Sequence, residues 1–219
     1  MKSEVEVEKR LAAEAAAELV GNGMTVGLGT GSTVAYLLPA LARRHLSVRC
    51  VTTSPHTEDA ARSLGLHVEA FAGIDRLDIA IDGADQIAPD GWLVKGGGGA
   101  HTREKIVAVT AERFVVIADS TKPVEQLHPP IPLELLSFGL ASTLRRLAPA
   151  TLRGVPTSPD GGVIADFEGE VGDPARLAAW LGATPGVVEH GLFPAELVQS
   201  VVIGRGSGVE VREISRPAC

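Results

Sequence analysis

The side chains that could move protons are concentrated in three short segments. Asp82-Gly83-Ala84-Asp85 follows an apolar stretch that predicts a strand, Glu104 comes shortly after Lys95-Gly96-Gly97-Gly98-Gly99, and Lys122 follows a second apolar stretch. Carboxylates can accept protons from carbon or hydroxyl groups, while an ammonium group and backbone amides can stabilise negative charge on oxygen. Taken singly, these groups also fit an Asx turn, a helix-stabilising glutamate and a solvated lysine. Together they predict proton-transfer chemistry at one edge of a sheet.

The glycines of the chain indicate that the substrate is an anion. In the segment 27–33, Gly-Leu-Gly-Thr-Gly-Ser-Thr, they allow backbone amides to approach an anion at a helix N-terminus. A tight strand-to-helix turn explains that segment equally well. The dinucleotide fingerprint fails, because Ser32 occupies the place of its third glycine and no acidic residue closes the next strand. This loop therefore favours a phosphorylated sugar over a dinucleotide.

Short apolar stretches alternate with helical ones through the first part of the chain. Strands are predicted at 24–28, 47–52, 67–71, 77–81 and 114–118, and helices at 4–20, 34–45, 57–64 and 102–110. This alternation is typical of βαβ units with a parallel sheet. After the proline-rich segment 128–132, helices at 138–147 and 175–181 and strands near 163–166, 187–192 and 197–203 predict a smaller α+β unit.

Composition and charge exclude several classes of protein. The net charge of −7 without a basic run disfavours nucleic-acid binding. Cys50 and Cys219 make neither a disulfide framework nor a zinc motif, and six dispersed histidines show no metal-ligand spacing, so neither a metal nor a cofactor is predicted. The acidic N-terminal helix lacks the apolar segment of a signal peptide, and no stretch reaches the roughly 18 apolar residues of a membrane span. The predicted location is the cytoplasm.

Four motifs, in order and spacing, resemble those of the type A ribose-5-phosphate isomerases. They are GLGTGSTV, DGADQI, KGGGGAHTREKI and IADSTKPV, and the similarity continues through PIPLEL, VIADF and PGVVEHGLF. The resemblance implies interconversion of D-ribose 5-phosphate and D-ribulose 5-phosphate without a cofactor. It also implies a Rossmann-like domain over 1–129, to which 204–219 returns, a ferredoxin-like α+β domain over 130–203, and a homodimer or homotetramer.

The resemblance assigns roles to individual residues. Glu104 corresponds to the base that transfers the proton, and Asp82, Asp85 and Lys95 line the reacting end of the substrate. The residues that correspond to the family's substrate-binding positions are Thr30, Gly31, Ser32, Thr33, Asp82, Gly83, Ala84, Asp85, Lys95, Gly96, Gly97, Gly98 and Lys122.

The chain departs from the family pattern at a few positions. Gln86 replaces a glutamate, Gly99 and His101 replace apolar or small residues, and Gly162 replaces an asparagine. None of these changes removes a proposed proton carrier. Three alternatives remain: a sugar-phosphate sensor like the effector domains of some transcription regulators, a nucleotide-dependent oxidoreductase, and a metal-dependent isomerase that shifts a hydride.

Overall fold

The computed structural model describes residues 4–214. Its α-helices are α1 (Glu4–Ala17), α2 (Val34–Ala42), α3 (Pro55–Ser63), α4 (His101–Thr110), α5 (Leu140–Arg146) and α6 (Pro174–Ala183). Its strands are β1 (Thr25–Leu28), β2 (Arg49–Thr52), β3 (Ile79–Gly83), β4 (Gln86–Ile87), β5 (Leu93–Val94), β6 (Phe114–Ala118), β7 (Ile131–Leu135), β8 (Ala150–Leu152), β9 (Val163–Phe167), β10 (Val187–His190), β11 (Leu192–Phe193), β12 (Val198–Arg205) and β13 (Gly208–Glu213). The chain divides into two compact units.

The larger unit is built on a six-stranded sheet. Its described residues are 4–84, Arg103–Lys122 and 195–214. The strand order is β13-β12-β6-β3-β1-β2, and every neighbouring pair is parallel except β12 with β13. Because β1, β3 and β6 are parallel neighbours, the loops that follow them emerge at the same edge of the sheet, where ligands bind in open α/β folds.

The core of the larger unit is aliphatic. Helix α1 packs on α2, β6 and β12 through small side chains, since Ala12, Ala13, Ala16 and Ala17 are all buried. Every residue of β6 is buried, which is typical of a central parallel strand. One buried residue of α1, Glu8, is charged and therefore requires hydrogen-bond partners.

The smaller unit has the ferredoxin-like order of elements. It consists of Asp85–Thr102 and Pro123–Pro194. Strands β7 to β10 form an antiparallel sheet in the order β10-β7-β9-β8, with α5 between β7 and β8 and α6 between β9 and β10. A second small sheet has the order β11-β5-β4. The predicted α/β class, a Rossmann-like sheet with a ferredoxin-like α+β unit, is confirmed.

The division of the chain differs from the expected boundaries at 129/130 and 203/204 in two places. Residues Asp85–Thr102 belong to the smaller unit, because β4 and β5 pair with each other and β5 pairs with β11. Strand β12 belongs to the larger unit, because it pairs with β6. Strand β13 follows it there, whereas residues 215–219 of the expected C-terminal return, with Cys219, lie outside the described residues.

The strand predicted at 67–71 is wrong. In that segment only Val68 bridges to Cys50, and Phe71–Gly73 forms a turn of 3₁₀ helix. The segment meets the edge strand β2 through two backbone hydrogen bonds, from the Cys50 N–H to the His67 carbonyl and from the Glu69 N–H to the Cys50 carbonyl. Among residues 4–214, no helix is both long and apolar enough to cross a membrane.

Candidate active site

In the larger unit, the loop after β1 is joined to Asp82 at the end of β3. The backbone N–H groups of Thr30 and Gly83 donate to Asp82 Oδ1 at 3.1 and 2.7 Å. A Cβ atom at Gly29 would lie 1.9 Å from this carboxyl group, so only glycine permits so close an approach. Asp82 is buried, and these bonds fix the orientation of its carboxylate.

Hydrogen bonds between hydroxyl groups also hold the loop after β1. The Thr30 hydroxyl donates to Ser54 Oγ at 2.8 Å and lies 2.7 Å from Thr53 Oγ1, and Thr57 Oγ1 donates to the Gly29 carbonyl at 3.0 Å. Ser54 also caps α3 by accepting from the Thr57 N–H. The beginning of α3 thus holds the loop 29–33, in which Gly31 and Ser32 are exposed and Thr33 is buried.

Glu104 lies in the first turn of α4 and is 4% exposed. A carboxylate at this position interacts favourably with the positive end of the helix dipole. A buried carboxylate in the first turn of a helix can act as a general base when a substrate proton comes within its reach. The position therefore suits the predicted role.

The loop with Lys122 is held by a carboxylate from α1. Glu8 Oε2 accepts from the backbone N–H of Ser120 at 3.0 Å and from its hydroxyl at 2.6 Å, and Glu8 Oε1 accepts from the Gly206 N–H at 2.7 Å. The Ser120 hydroxyl and the other donors lower the pKa of Glu8. Lys122 follows as a half-buried residue whose backbone N–H donates to the Asp119 carbonyl.

Asp119 and Glu8 are buried acids that the sequence interpretation left without a role. Asp119 Oδ1 accepts from the Thr121 backbone N–H and hydroxyl. Asp119 Oδ2 is buried without a hydrogen-bond partner among the described residues. For Asp119 a signal was present in the sequence, since it directly follows the apolar run of β6. The helical pattern around Glu8 gave no such signal.

In the smaller unit, Asp85 and Lys95 lie at the ends of the short strands β4 and β5. Asp85 is exposed, and its Oδ2 accepts from the Gly97 N–H at 2.8 Å. Lys95 is buried, and its backbone N–H donates to the Gly191 carbonyl. Its ammonium nitrogen lies 5.4 Å from the centroid of the Phe193 ring. An ammonium group over a ring face is stabilised while it stays charged.

The glycine loop after Lys95 is held by a residue that sequence reasoning missed. Arg153 donates to the carbonyl groups of Gly96 and Gly97 and forms an ion pair with Asp166. Gly96 has a φ of +105°, and a Cβ atom there would lie 2.7 Å from the ring of His101. No motif includes Arg153, which is more than fifty residues from the loop, so only the tertiary structure reveals the contact.

Two departures from the family pattern have structural explanations within the smaller unit. The Gln86 amide donates to the His128 carbonyl at 2.8 Å and accepts from the His128 N–H at 2.9 Å, a pair of bonds that a carboxylate could not make. A Cβ atom at Gly162 would lie 2.2 Å from Glu134 Oε1, so the Glu134 carboxylate fills the space of a larger residue. Glu134 accepts there from the hydroxyls of Ser158 and Thr102.

One cavity of the smaller unit does not include the predicted site residues. It has a volume of about 780 Å³, belongs to the smaller unit and is lined by residues of the segments 88–90, 125–129 and 170–174. None of the predicted site residues lines it. Among residues 4–214, no three His, Cys, Asp or Glu side chains are grouped so that they could hold a metal ion.

The structure thus brings together some predicted residues within each unit. In the larger unit, Thr30 is bonded to Asp82; in the smaller unit, Asp85 is bonded to Gly97, two residues after Lys95. Glu104 and Lys122 belong to the larger unit, at the start of α4 and after β6. The family model of ribose 5-phosphate isomerase A (phosphoriboisomerase A) matches residues 49–208.

The chain belongs to this isomerase family. A ribose-5-phosphate isomerase A of Caulobacter sp. strain K31 is 45% identical over 217 residues, which cover 92% of this chain and 96% of that protein. The crystal structure of ribose 5 phosphate isomerase A from Neisseria gonorrhoeae aligns with a TM-score of 0.91 at 32% identity, covering 95% of this chain and 96% of the other. A D-ribose-5-phosphate isomerase in complex with phospho-erythronic acid aligns with a TM-score of 0.89 at 32% identity, covering 95% and 99%.

A second family model matches a smaller part of the chain. The C-terminal sensor domain of DeoR matches residues 4–68, a segment that includes the loop after β1 but neither Glu104 nor Lys95. The similarity is thus confined to β1, β2 and the helices α1 to α3. The isomerase family accounts for the remaining motifs.

Proposed function

We propose that this chain interconverts D-ribose 5-phosphate and D-ribulose 5-phosphate, a step of the pentose phosphate pathway, through an enediolate. Membership in the isomerase family supports this reaction, as does the presence of every proton carrier that the reaction needs. The observation that carries the proposal is Glu104, a carboxylate buried in the first turn of α4 and preceded by a glycine loop.

The reaction moves one carbon-bound proton and one hydroxyl proton. Glu104 takes the proton from C2 of the open-chain aldose, which leaves an enediolate, and returns it to C1. A hydroxyl proton passes from O2 to O1, so that the aldehyde becomes an alcohol and C2 becomes a ketone. Asp82, with Asp85, carries hydroxyl protons in this step and in opening of the furanose ring.

The negative charge of the enediolate requires stabilisation by groups that are already in place. The Lys95 ammonium and neighbouring glycine amides are proposed for this role. Lys122 and the amides of the loop that includes Thr30, Gly31, Ser32 and Thr33 are proposed to hold the phosphate. Such positioning accounts for a large part of the rate of proton transfer.

A coupled assay of the purified protein tests the reaction. We expect ketose formation from ribose 5-phosphate in the presence of EDTA, with the same rate after dialysis against the chelator. Loss of activity in EDTA, restored by a divalent cation, would contradict the metal-free mechanism. Absence of turnover under all conditions would contradict the proposed function.

Sugar-phosphate sensing is the second candidate, because the DeoR sensor model matches residues 4–68. A sensor would bind ribose 5-phosphate in calorimetry without producing ketose. The carboxylates and lysines beyond residue 68 favour the enzyme, since binding alone does not need a buried base.

We also propose that the protein assembles as a homodimer or homotetramer, as the family resemblance implies, and that it acts in the cytoplasm. A phosphorylated pentose is charged and crosses a lipid bilayer poorly, so the enzyme and its substrate must share a compartment. Light scattering of the purified protein measures the assembly.

A further inference from the structure

The glycine loop of the smaller unit, Gly96–Gly99, needs an external constraint to hold one conformation. Glycine loses more conformational freedom on folding than any other residue, and four in a row have no side chains with which to anchor the loop. Within the loop, the Gly99 N–H donates to the Gly96 carbonyl at 3.0 Å. The Gly97 N–H donates to Asp85, as described above. These two bonds leave most of the loop unconstrained.

Arg153 supplies the missing constraint. It follows β8, and its Nη1 atom donates to the carbonyl oxygens of both Gly96 and Gly97 at 3.0 Å. Its Nε atom donates to Asp166 Oδ2 at 2.9 Å, and Nη2 donates to Asp166 Oδ1. The guanidinium group therefore bridges two consecutive peptide groups of the loop and a carboxylate on β9.

This arrangement determines which way the loop amides point. In a trans peptide the C=O and N–H bonds point in opposite directions. Since the carbonyls of Gly96 and Gly97 both point at Arg153, the N–H groups of Gly97 and Gly98 are directed away from it. The first of these N–H groups orients the Asp85 carboxylate. The second, on Gly98, belongs to a residue at a substrate-binding position of the family.

Only arginine has the geometry for this role. Its planar fork places separate donors toward the two carbonyls and toward both carboxylate oxygens, whereas a lysine presents its three donors from a single nitrogen. Asp166 holds the guanidinium plane, and hydrogen bonding to Asp166 raises the pKa of Arg153, with Asp85 contributing. The group therefore keeps its positive charge at neutral pH.

We propose that Arg153 is a positioning residue for the isomerisation, which fixes the glycine loop so that the Gly98 amide and the Asp85 carboxylate are presented to the substrate. This inference rests on the proposed function. Arg153 is not proposed to contact the reacting atoms. It acts through the backbone that it holds.

Three variants test the proposal, with wild type alongside. Arg153→Gln removes the charge and the fork, Arg153→Lys keeps only the charge, and Asp166→Asn removes the ionic partner while leaving the guanidinium over the carbonyls. Arg146→Gln, in the exposed last turn of α5 of the same unit, is the matched control. The measurements are kcat and KM for ribose 5-phosphate, affinity for phospho-erythronic acid by calorimetry, melting temperature, and hydrogen exchange of a peptide spanning 95–99.

We expect Arg153→Gln and Arg153→Lys to lose about ten- to hundredfold in kcat/KM, the range for a catalytic group displaced by about 1 Å. Asp166→Asn is expected to lose less, and Arg146→Gln to match the wild type. Exchange in the glycine loop is expected to become faster in both Arg153 variants at a temperature where all of the proteins are folded.

Two results would overturn the proposal. One is a folded Arg153→Gln protein with wild-type kcat/KM and unchanged exchange at 95–99. The other is Asp166→Asn with as large a loss as Arg153→Gln, in proportion to the fall in melting temperature, because that pattern would indicate a structural ion pair. If the wild-type chain does not isomerise ribose 5-phosphate, the proposed function fails, while hydrogen exchange still decides whether Arg153 orders the loop.

Discussion

The two units hold their loops with side chains of opposite charge. In the larger unit, the carboxylates of Asp82 and Glu8 accept hydrogen bonds from backbone N–H groups of the loops after β1 and β6. In the smaller unit, the Arg153 guanidinium donates to backbone carbonyls of the glycine loop.

The charge of the side chain that binds a loop decides which backbone groups of the loop remain available to a ligand. A carboxylate occupies the N–H groups that it binds, here those of Thr30 and Ser120, and leaves the other amides and the side chains of the loop for contact with an anion. A guanidinium occupies carbonyls and turns N–H groups outward, which suits an anion directly.

The largest expected effect tests the base in the larger unit. Glu104→Gln keeps the shape of the side chain but cannot accept the C2 proton, so kcat is expected to fall about a hundredfold to ten-thousandfold. Steady-state kinetics measure this, with Glu58→Gln, at a half-buried position of α3, as the control. Near-normal turnover of Glu104→Gln would show that Glu104 is not the base.

A smaller effect tests the glycine loop of the smaller unit. A Cβ atom at Gly97 would lie 2.8 Å from Asp85 Oδ1, so Gly97→Ala is expected to displace that carboxylate and lower kcat/KM by about tenfold to a hundredfold. At Gly154, a Cβ atom would meet nothing within 4 Å, and Gly154→Ala serves as the control. Equal kinetics for the two alanine variants would show that the orientation of Asp85 is unimportant.

Lys122 tests whether a side chain supplies the anion contact of the larger unit. Removal of one charge-assisted hydrogen bond to phosphate costs about 1.5–3 kcal/mol, so Lys122→Ala is expected to raise KM by about tenfold or more with little change in kcat. Initial rates over a range of ribose 5-phosphate concentrations separate the two parameters. A selective fall in kcat would instead place Lys122 at the reacting end.

The smallest expected effect on turnover comes from Glu8, whose contribution is to stability. Its pKa is lowered in the folded state, so the stability that it adds is complete above the unfolded-state pKa and is lost as the pH falls through the folded-state value. Glu8→Gln is therefore expected to lower the free energy of unfolding near neutral pH by about 1–3 kcal/mol, and the difference from wild type is expected to shrink in acid.

Urea unfolding at neutral pH and at roughly pH 3 measures this difference. Glu58→Gln is the control, because the Glu58 carboxylate meets Arg62 on the surface of α3, where solvent screens the pair. A pH-independent difference for Glu8→Gln would contradict the assignment of a charged carboxylate at this position.

Local patterns predicted much of the larger unit because its strands are continuous apolar runs. Strand β6 was predicted with its observed bounds, 114–118, since every residue of it is apolar and buried. The predictions failed where a strand is short, lies at an edge, as β8 and β13 do, or contains a proline. Strand β7 was missed because its sequence, IPLEL, contains a proline, which is unusual in a strand paired on both sides.

The candidate site was predictable only as far as its motifs extend. Glu104, Asp82 and Lys95 belong to contiguous segments whose residue types indicate proton transfer. Glu8 and Arg153 belong to no such segment. Glu8 binds the backbone of Ser120, 112 residues away, and Arg153 binds two carbonyls that are 57 and 56 residues away. No local pattern encodes those partners.

By itself, the sequence determined the alternation of strands and helices, the carboxylates and lysines available for chemistry, and the family, because each depends on residues close together in the chain. Only the tertiary structure decided the unit to which 85–102 and β12 belong, and the residues that hold the loops in place. Strand pairing and burial join residues that are distant in sequence, and a charged side chain far along the chain carries no local sign of the peptide groups that it binds.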